Sequence, residues 1–133
     1  MPIERGGFVT ASWTAGPATA GVAWADPARI AADVAAVRPQ VDHVIILLHS
    51  GYEGTNTPNA IQRAAAEAAI AAGATLVLGA HAHVLQGVEQ GEQTLIAWSL
   101  GNFVFDGFAG TPSVDSAILH VTLDREGVRD YRW

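Results

Sequence analysis

Asp42-His43-Val44-Ile45-Ile46-Leu47-Leu48-His49-Ser50-Gly51 and Thr75-Leu76-Val77-Leu78-Gly79-Ala80-His81-Ala82-His83 decide the fold. Asp42–Leu48 and Thr75–Leu78 are short apolar runs rich in β-branched residues, the pattern of strands covered on both faces. The loop Tyr52–Thr57 and then Pro58, with Thr57 as the expected cap, open a helix through Gln62, Glu67 and Ile70 to Gly73. Its many alanines allow a close approach to a sheet. Strand, helix and strand within about forty residues form a βαβ unit, whose two strands must be parallel and whose crossover is right-handed.

Upstream, Asp26-Pro27 supplies a cap and a first-turn proline, and Ile30, Val34 and Val37 share one helical face until Arg38-Pro39. Phe8–Trp13 is expected to be a short strand and Thr14–Ala25 a loop. Downstream the pattern changes to hairpins: Val84–Glu89 with Thr94–Leu100, then Ser116–Leu123 with Val128–Trp133. The fold class is therefore α/β with α+β character, a parallel unit followed by antiparallel hairpins. Both ends are abrupt, since a strand is expected near the start and another at Trp133.

The chain has 133 residues, 50% hydrophobic and 15% charged, which suits one packed domain and excludes disorder. With no Cys there is no disulfide scaffold, thiolate site or thiol nucleophile. All seven basic residues are Arg, which excludes Schiff-base chemistry and a Walker-type phosphate loop. A net charge of −6 leaves no phosphate-tracking stripe, so nucleic acid is excluded as a partner. The longest strongly apolar run, Val44–Leu48, is far below the roughly 20 residues of a spanning helix, and Met1–Gly7 lacks the pattern of a signal peptide.

Position points to the chemistry. His49 follows one parallel strand, and His81 and His83 follow the other, so three imidazoles gather at the carboxyl edge where open α/β sheets bind ligands. Imidazole suits divalent transition metals, and a His-x-His pair can reach one ion or bridge two. A solvated loop histidine is the plainer reading of any one of them. His43, expected at an exposed strand start, and His120, on a strand face, carry no functional expectation.

Four motifs extend this pattern: His49-Ser50-Gly51-Tyr52-Glu53; Pro58 with Gln62; Gly79-Ala80-His81-Ala82-His83-Val84-Leu85-Gln86-Gly87; and Ser99-Leu100-Gly101-Asn102-Phe103-Val104-Phe105-Asp106. In order and spacing they resemble the CapA-type capsule or poly-γ-glutamate synthesis proteins of the calcineurin-like metallophosphoesterase superfamily. The resemblance covers about residues 20–125. It implies the C-terminal half of an αββα sandwich, with residues 1–133 a single partial domain whose N-terminal half is absent and whose C-terminal end is truncated. It also implies that His49, His81 and His83 ligate a two-metal centre of manganese, iron or zinc, which would clamp a phosphoryl group and activate water. Glu53 matches the family's acidic residue, as a partner of a ligand or a proton acceptor, although a solvated carboxylate fits equally. Asn102 could face the same rim, but the favoured expectation is a turn in which Gly101 takes an unusual backbone angle and Asn102 satisfies local amides.

Ser50, Ala80 and Trp98 stand where the family often has Trp, His and Tyr. A larger departure is that no Asp-x-His, Gly-Asp or Asn-His-Asp motif precedes residue 49; the earlier acidic residues are Glu4, Asp26, Asp33 and Asp42. The resemblance therefore implies a metal-dependent phosphoesterase of capsule or poly-γ-glutamate biosynthesis, incomplete as this chain and inactive alone. Its expected partners are the missing N-terminal half and an anionic polymer or phosphoester substrate, at an extracytoplasmic surface. Two alternatives stand beside it: a non-catalytic polymer-binding or scaffolding module, and a mononuclear zinc hydrolase built on the three imidazoles.

Overall fold

The computed structural model describes residues 10–105 and 115–133. Its elements in order are α1 (Thr10–Trp13), α2 (Pro27–Val37), β1 (Ile45–His49), α3 (Ala60–Ala71), β2 (Leu76–Ala80), β3 (Leu85–Gln90), β4 (Leu95–Leu100), β5 (His120–Leu123) and β6 (Val128–Arg132). Strands β1 to β4 form one sheet in the order β1-β2-β4-β3, and β5-β6 form a second. The β1–β2 and β2–β4 pairs are parallel, and β3–β4 and β5–β6 are antiparallel, so the mixed α/β character and both hairpins are as expected. Strand β4 is shared between the two halves of the pattern.

Local chemistry explains the helices. The Asp26 carboxylate accepts from the Arg29 amide at 2.9 Å, and Pro27 opens α2. The cap of α3 differs from expectation: Asn59, not Thr57, fills it, accepting from the Ile61 and Gln62 amides while Gln62 Oε1 accepts from the Asn59 amide. This reciprocal pair satisfies three amides that a threonine two residues earlier cannot reach. Gly73 ends the helix at φ +106°, as expected of a residue past the last turn. The expected strand at Phe8–Trp13 is also corrected, because Thr10–Trp13 is one helical turn; Phe8 and Val9 lie outside the described residues. Thr14 and Val22 bridge across the following loop instead.

The four-stranded sheet is covered unequally. On one face Ala65, Ala66 and Ala69 of α3 and Val34 of α2 pack with Leu48, Val77, Ile96 and Trp98. The alanines let α3 sit close, and Arg63 reaches over it to place its guanidinium 5.0 Å from the Trp98 ring and 3.0 Å from Glu89. On the other face the β5–β6 hairpin packs Val128, Leu119, Val121 and Leu123 on Leu76, Leu78 and Leu95. A hydrogen bond from the Val128 amide to the Gln93 carbonyl, 2.8 Å long, ties the two sheets together.

The hairpin stops short of β1. Ile45 is 47% exposed and Leu47 79% exposed, although Ile46 and Leu48 pack beneath the helices. Coverage on both faces, expected from the unbroken apolar runs of β1 and β2, therefore holds for β2 but not for β1; β4, expected only as half of a hairpin, is buried along most of its length. Among the described residues β1 pairs only with β2. His43 also departs from expectation: it precedes β1, half-buried, with Nδ1 3.3 Å from Thr75 Oγ1. No helix among the described residues is long and apolar enough to cross a membrane.

Candidate metal centre

The parallel register sets Leu48 opposite Gly79 and His49 opposite Ala80, so His49, the last residue of β1, and His81, the first after β2, leave the same edge side by side. His81 Nδ1 lies 3.1 Å from His49 Nε2, with ring centroids 4.9 Å apart. Nitrogens this close share either a proton or an ion. Bonds of about 2.0–2.1 Å to one divalent ion would hold two ligand nitrogens roughly 2.9–3.4 Å apart across octahedral to tetrahedral angles, and the observed separation falls in that range.

His83 is turned aside, its ring centroid 6.2 Å from that of His81. The Asn102 carboxamide engages it twice: Nδ2 donates to the His83 carbonyl at 3.3 Å, and Oδ1 lies 2.6 Å from His83 Nδ1. The carbonyl can only accept, which fixes the amide orientation, so Oδ1 must be the atom facing the ring and Nδ1 must carry a proton. In neutral His83 the lone pair is therefore on Nε2, the tautomer of an Nε2 metal ligand whose other nitrogen is held by a hydrogen bond. Gly101 does take a left-handed backbone, φ +70°, as the turn expectation requires. Among the described residues, however, the Asn102 side chain goes to His83 and not to amides of its own turn.

Backbone conformation singles out the same residues. Among the described residues, His81 at φ +100° and His83 at φ +58° are the non-glycine residues in the left-handed region. Such positions cost about 1–3 kcal/mol each and persist only where the surroundings impose them. Here the Ser50 amide donates to the Ala80 carbonyl at 3.1 Å and the Gly54 amide to the Ala82 carbonyl at 2.8 Å, lashing the loop after β1 to the His-x-His segment.

Glu53 lies exposed on that loop. The pKa of His81 is lowered, first by burial and then by the neighbouring His49, with Glu53 pulling it the other way. His81 thus favours its neutral, metal-binding form. Among the described residues no three His, Asp or Glu side chains converge on one point: His49 and His81 meet, while His83 stands apart. Asp106, the last residue of the fourth motif, lies outside the described residues, and His120, exposed on β5, is not part of the rim.

Beside the pair a cleft of about 1660 Å³ runs along β1, with Trp13, Trp24, Arg29, Ile46, Tyr52 and Glu53 among its walls. Sequence reasoning missed Trp13, Trp24 and Arg29, which only tertiary packing brings here. It also gave no role to Gln62 and Gln86, buried beneath the rim. A glutamine on an otherwise apolar, alanine-rich helix face was the available signal for the first.

A mixed sheet carrying imidazoles at the carboxyl edge of its parallel strands defines an α+β protein with a candidate ligand site at the strand ends. The family model described as bacterial capsule synthesis protein PGA_cap matches residues 4–107, and the chain belongs to that family. It is 39% identical over 109 residues to the PGA biosynthesis protein CapA of Bacillus subtilis (strain 168), an alignment covering 82% of this chain and 28% of that protein. It is 42% identical over 86 residues to the capsule biosynthesis protein CapA of Bacillus anthracis, covering 65% of this chain and 21% of the relative. The chain thus spans less than a third of the length of either relative.

Proposed function

We propose that this chain supplies the imidazole side of a metal centre in a phosphoester hydrolase of capsule or poly-γ-glutamate biosynthesis. The observation that carries the reading is the 3.1 Å approach of His81 Nδ1 to His49 Nε2 at the carboxyl edge of two parallel strands. His49 and His81 would hold one divalent ion and His83 a second, with manganese, iron and zinc all suited to imidazole. Two such ions, when bound, clamp phosphoryl oxygens and lower the pKa of bound water. Asn102 keeps the His83 proton on Nδ1, and Glu53, near enough to influence His81, is placed to take up a proton at the rim.

The carboxylate ligands would come from the part of the protein this chain does not span, with residues 1–133 forming the C-terminal half of one domain. The uncovered face of β1, Ile45 and Leu47, is where that part would lie. The names of the relatives support an anionic polymer or its phosphoester as substrate, and an extracytoplasmic surface as the place of action.

Anomalous scattering from crystals of the metal-loaded full-length protein should place an ion within about 2.0–2.2 Å of His49 and His81 nitrogens. Hydrolysis of an aryl phosphate should be lost in His81→Ala. Absence of metal from those imidazoles defeats the reading. A second reading, a non-catalytic polymer-binding or scaffolding module, is favoured by the lack of a third convergent donor among the described residues. Metal-loaded protein without turnover, yet retaining capsule polymer, would support it. The 6.2 Å between the His81 and His83 rings weighs against a mononuclear three-imidazole zinc site.

A further inference from the structure

We propose that Gln62 and Gln86 are positioning residues, a buried amide chain that holds the His49 loop and the His81–His83 segment in mutual register. Their service to a metal rests on the reading above. Both side chains are almost wholly buried, at 1% and 3% exposure. The Asn59 amide donates to Gln62 Oε1 at 3.0 Å, Gln62 Nε2 donates to Gln86 Oε1 at 2.9 Å, and Gln86 Nε2 donates to the Thr55 carbonyl at 2.8 Å. A backbone donor at one end and a backbone acceptor at the other fix both amide orientations, so the chain runs one way and has no equivalent flipped form.

Its attachment points bracket the rim. Thr55 lies two residues after Glu53, Gln86 three residues after His83, and Gln62 in the first turn of α3. Gln62 is also the floor under Gly51, two residues beyond His49: a Cβ at Gly51 would stand 2.8 Å from Gln62 Cδ. Above this floor the Gly54 amide reaches the Ala82 carbonyl, between the two histidines. Capping of α3 accounts for Gln62 Oε1 alone. It does not account for a second buried glutamine whose two bonds run from α3 across to the loop after β1.

The test compares Gln86→Met, nearly isosteric but unable to bridge, with Leu95→Ala in the full-length protein. Leu95 is fully buried at the opposite end of the sheet, paired with Leu76, so its truncation lowers stability without touching the rim. Hydrogen exchange over residues 50–57 in metal-free protein and zinc affinity by titration are both measured. In Gln86→Met, exchange in that segment should rise at least about tenfold beyond any global loss, and zinc affinity should fall about 10–100-fold. Leu95→Ala should show neither. If Gln86→Met fails to fold, Gln86→Ser, too short to bridge Gln62 and the Thr55 carbonyl, is read in the same way. Local exchange no faster than in the control overturns the proposal, as does unchanged zinc affinity where the parent protein binds zinc. A parent protein that binds no zinc removes the metal reading alone, and the exchange comparison then decides the amide chain by itself.

Discussion

Replacing Asn102 by Ala removes the group that sets the proton of His83 and leaves the loop backbone intact. Two bonds are lost, one to the ring at 2.6 Å and one to the His83 carbonyl at 3.3 Å. A net contribution of about 0.5–1.5 kcal/mol per bond makes the expected stability loss roughly 1–3 kcal/mol. For a chain of 133 residues this lowers Tm by about 4–10 °C. The ring bond alone biases the Nδ1–H over the Nε2–H tautomer by about 2–13-fold, the same energy divided by RT and exponentiated. Long-range nitrogen–proton correlation NMR of the histidine rings at pH 8, in metal-free protein, reads that ratio directly. The parent protein should show His83 protonated on Nδ1, and Asn102→Ala should shift the ratio towards Nε2 by the stated factor. His83 already protonated on Nε2 in the parent, or a ratio unchanged by the substitution, would refute the assignment and remove the case for Nε2 as the ligating atom.

Other perturbations probe the same rim. Gly51→Ala, at φ +133° and with its new Cβ 2.8 Å from Gln62 Cδ, should cost about 2–4 kcal/mol in urea unfolding; a loss below about 0.5 kcal/mol would contradict the described loop. His81→Gly relieves a residue at φ +100° and should raise metal-free stability by about 1 kcal/mol, after glycine's added unfolded-state entropy, while abolishing zinc binding. Equal or lower stability would show that His81 is not strained. Because the folded state holds the pKa of His81 below its ordinary value, the unfolded chain binds the proton first as pH falls. The stability due to neutral His81 is therefore complete above about pH 6.5 and lost as pH drops from there to the lowered value. The stability of the parent relative to His81→Gln should fall across that window on acidification; a relative stability that rises would reverse the sign.

What could be read from the residues was the framework. The apolar runs ending at His49 and before His81, with an alanine-rich helix between, specify a parallel pair and hence the edge where imidazoles collect. The hidden part was whatever depends on distant coverage or on backbone torsion. Ile45 and Leu47 read as core because hydrophobicity does not reveal whether a second layer extends over a given strand. The left-handed torsions of His81 and His83 were illegible because histidine, unlike glycine, does not advertise them. The pairing of Asn102 with His83 joins residues 19 apart in sequence through the β3–β4 hairpin, so no local turn rule could propose it. Asn59 displaced Thr57 as the cap because a carboxamide followed three residues later by glutamine makes a reciprocal pair, whereas Thr57 rests only on the proline that follows it.

The uneven support of β1 and β2 also gives the two facing nitrogens different ranks. His81 follows a strand flanked on both sides and covered on both faces, whereas His49 ends one that the described residues flank on one side and leave half bare. Segments with fewer buried contacts open at lower free energy, so His49 is the yielding member of the pair and His81 the anchored one. If the pair holds an ion as proposed, His81 would offer it an imidazole fixed in aim and His49 one that can adjust. That division follows from sheet topology, and cover laid over Ile45 and Leu47 by the rest of the protein would lessen it.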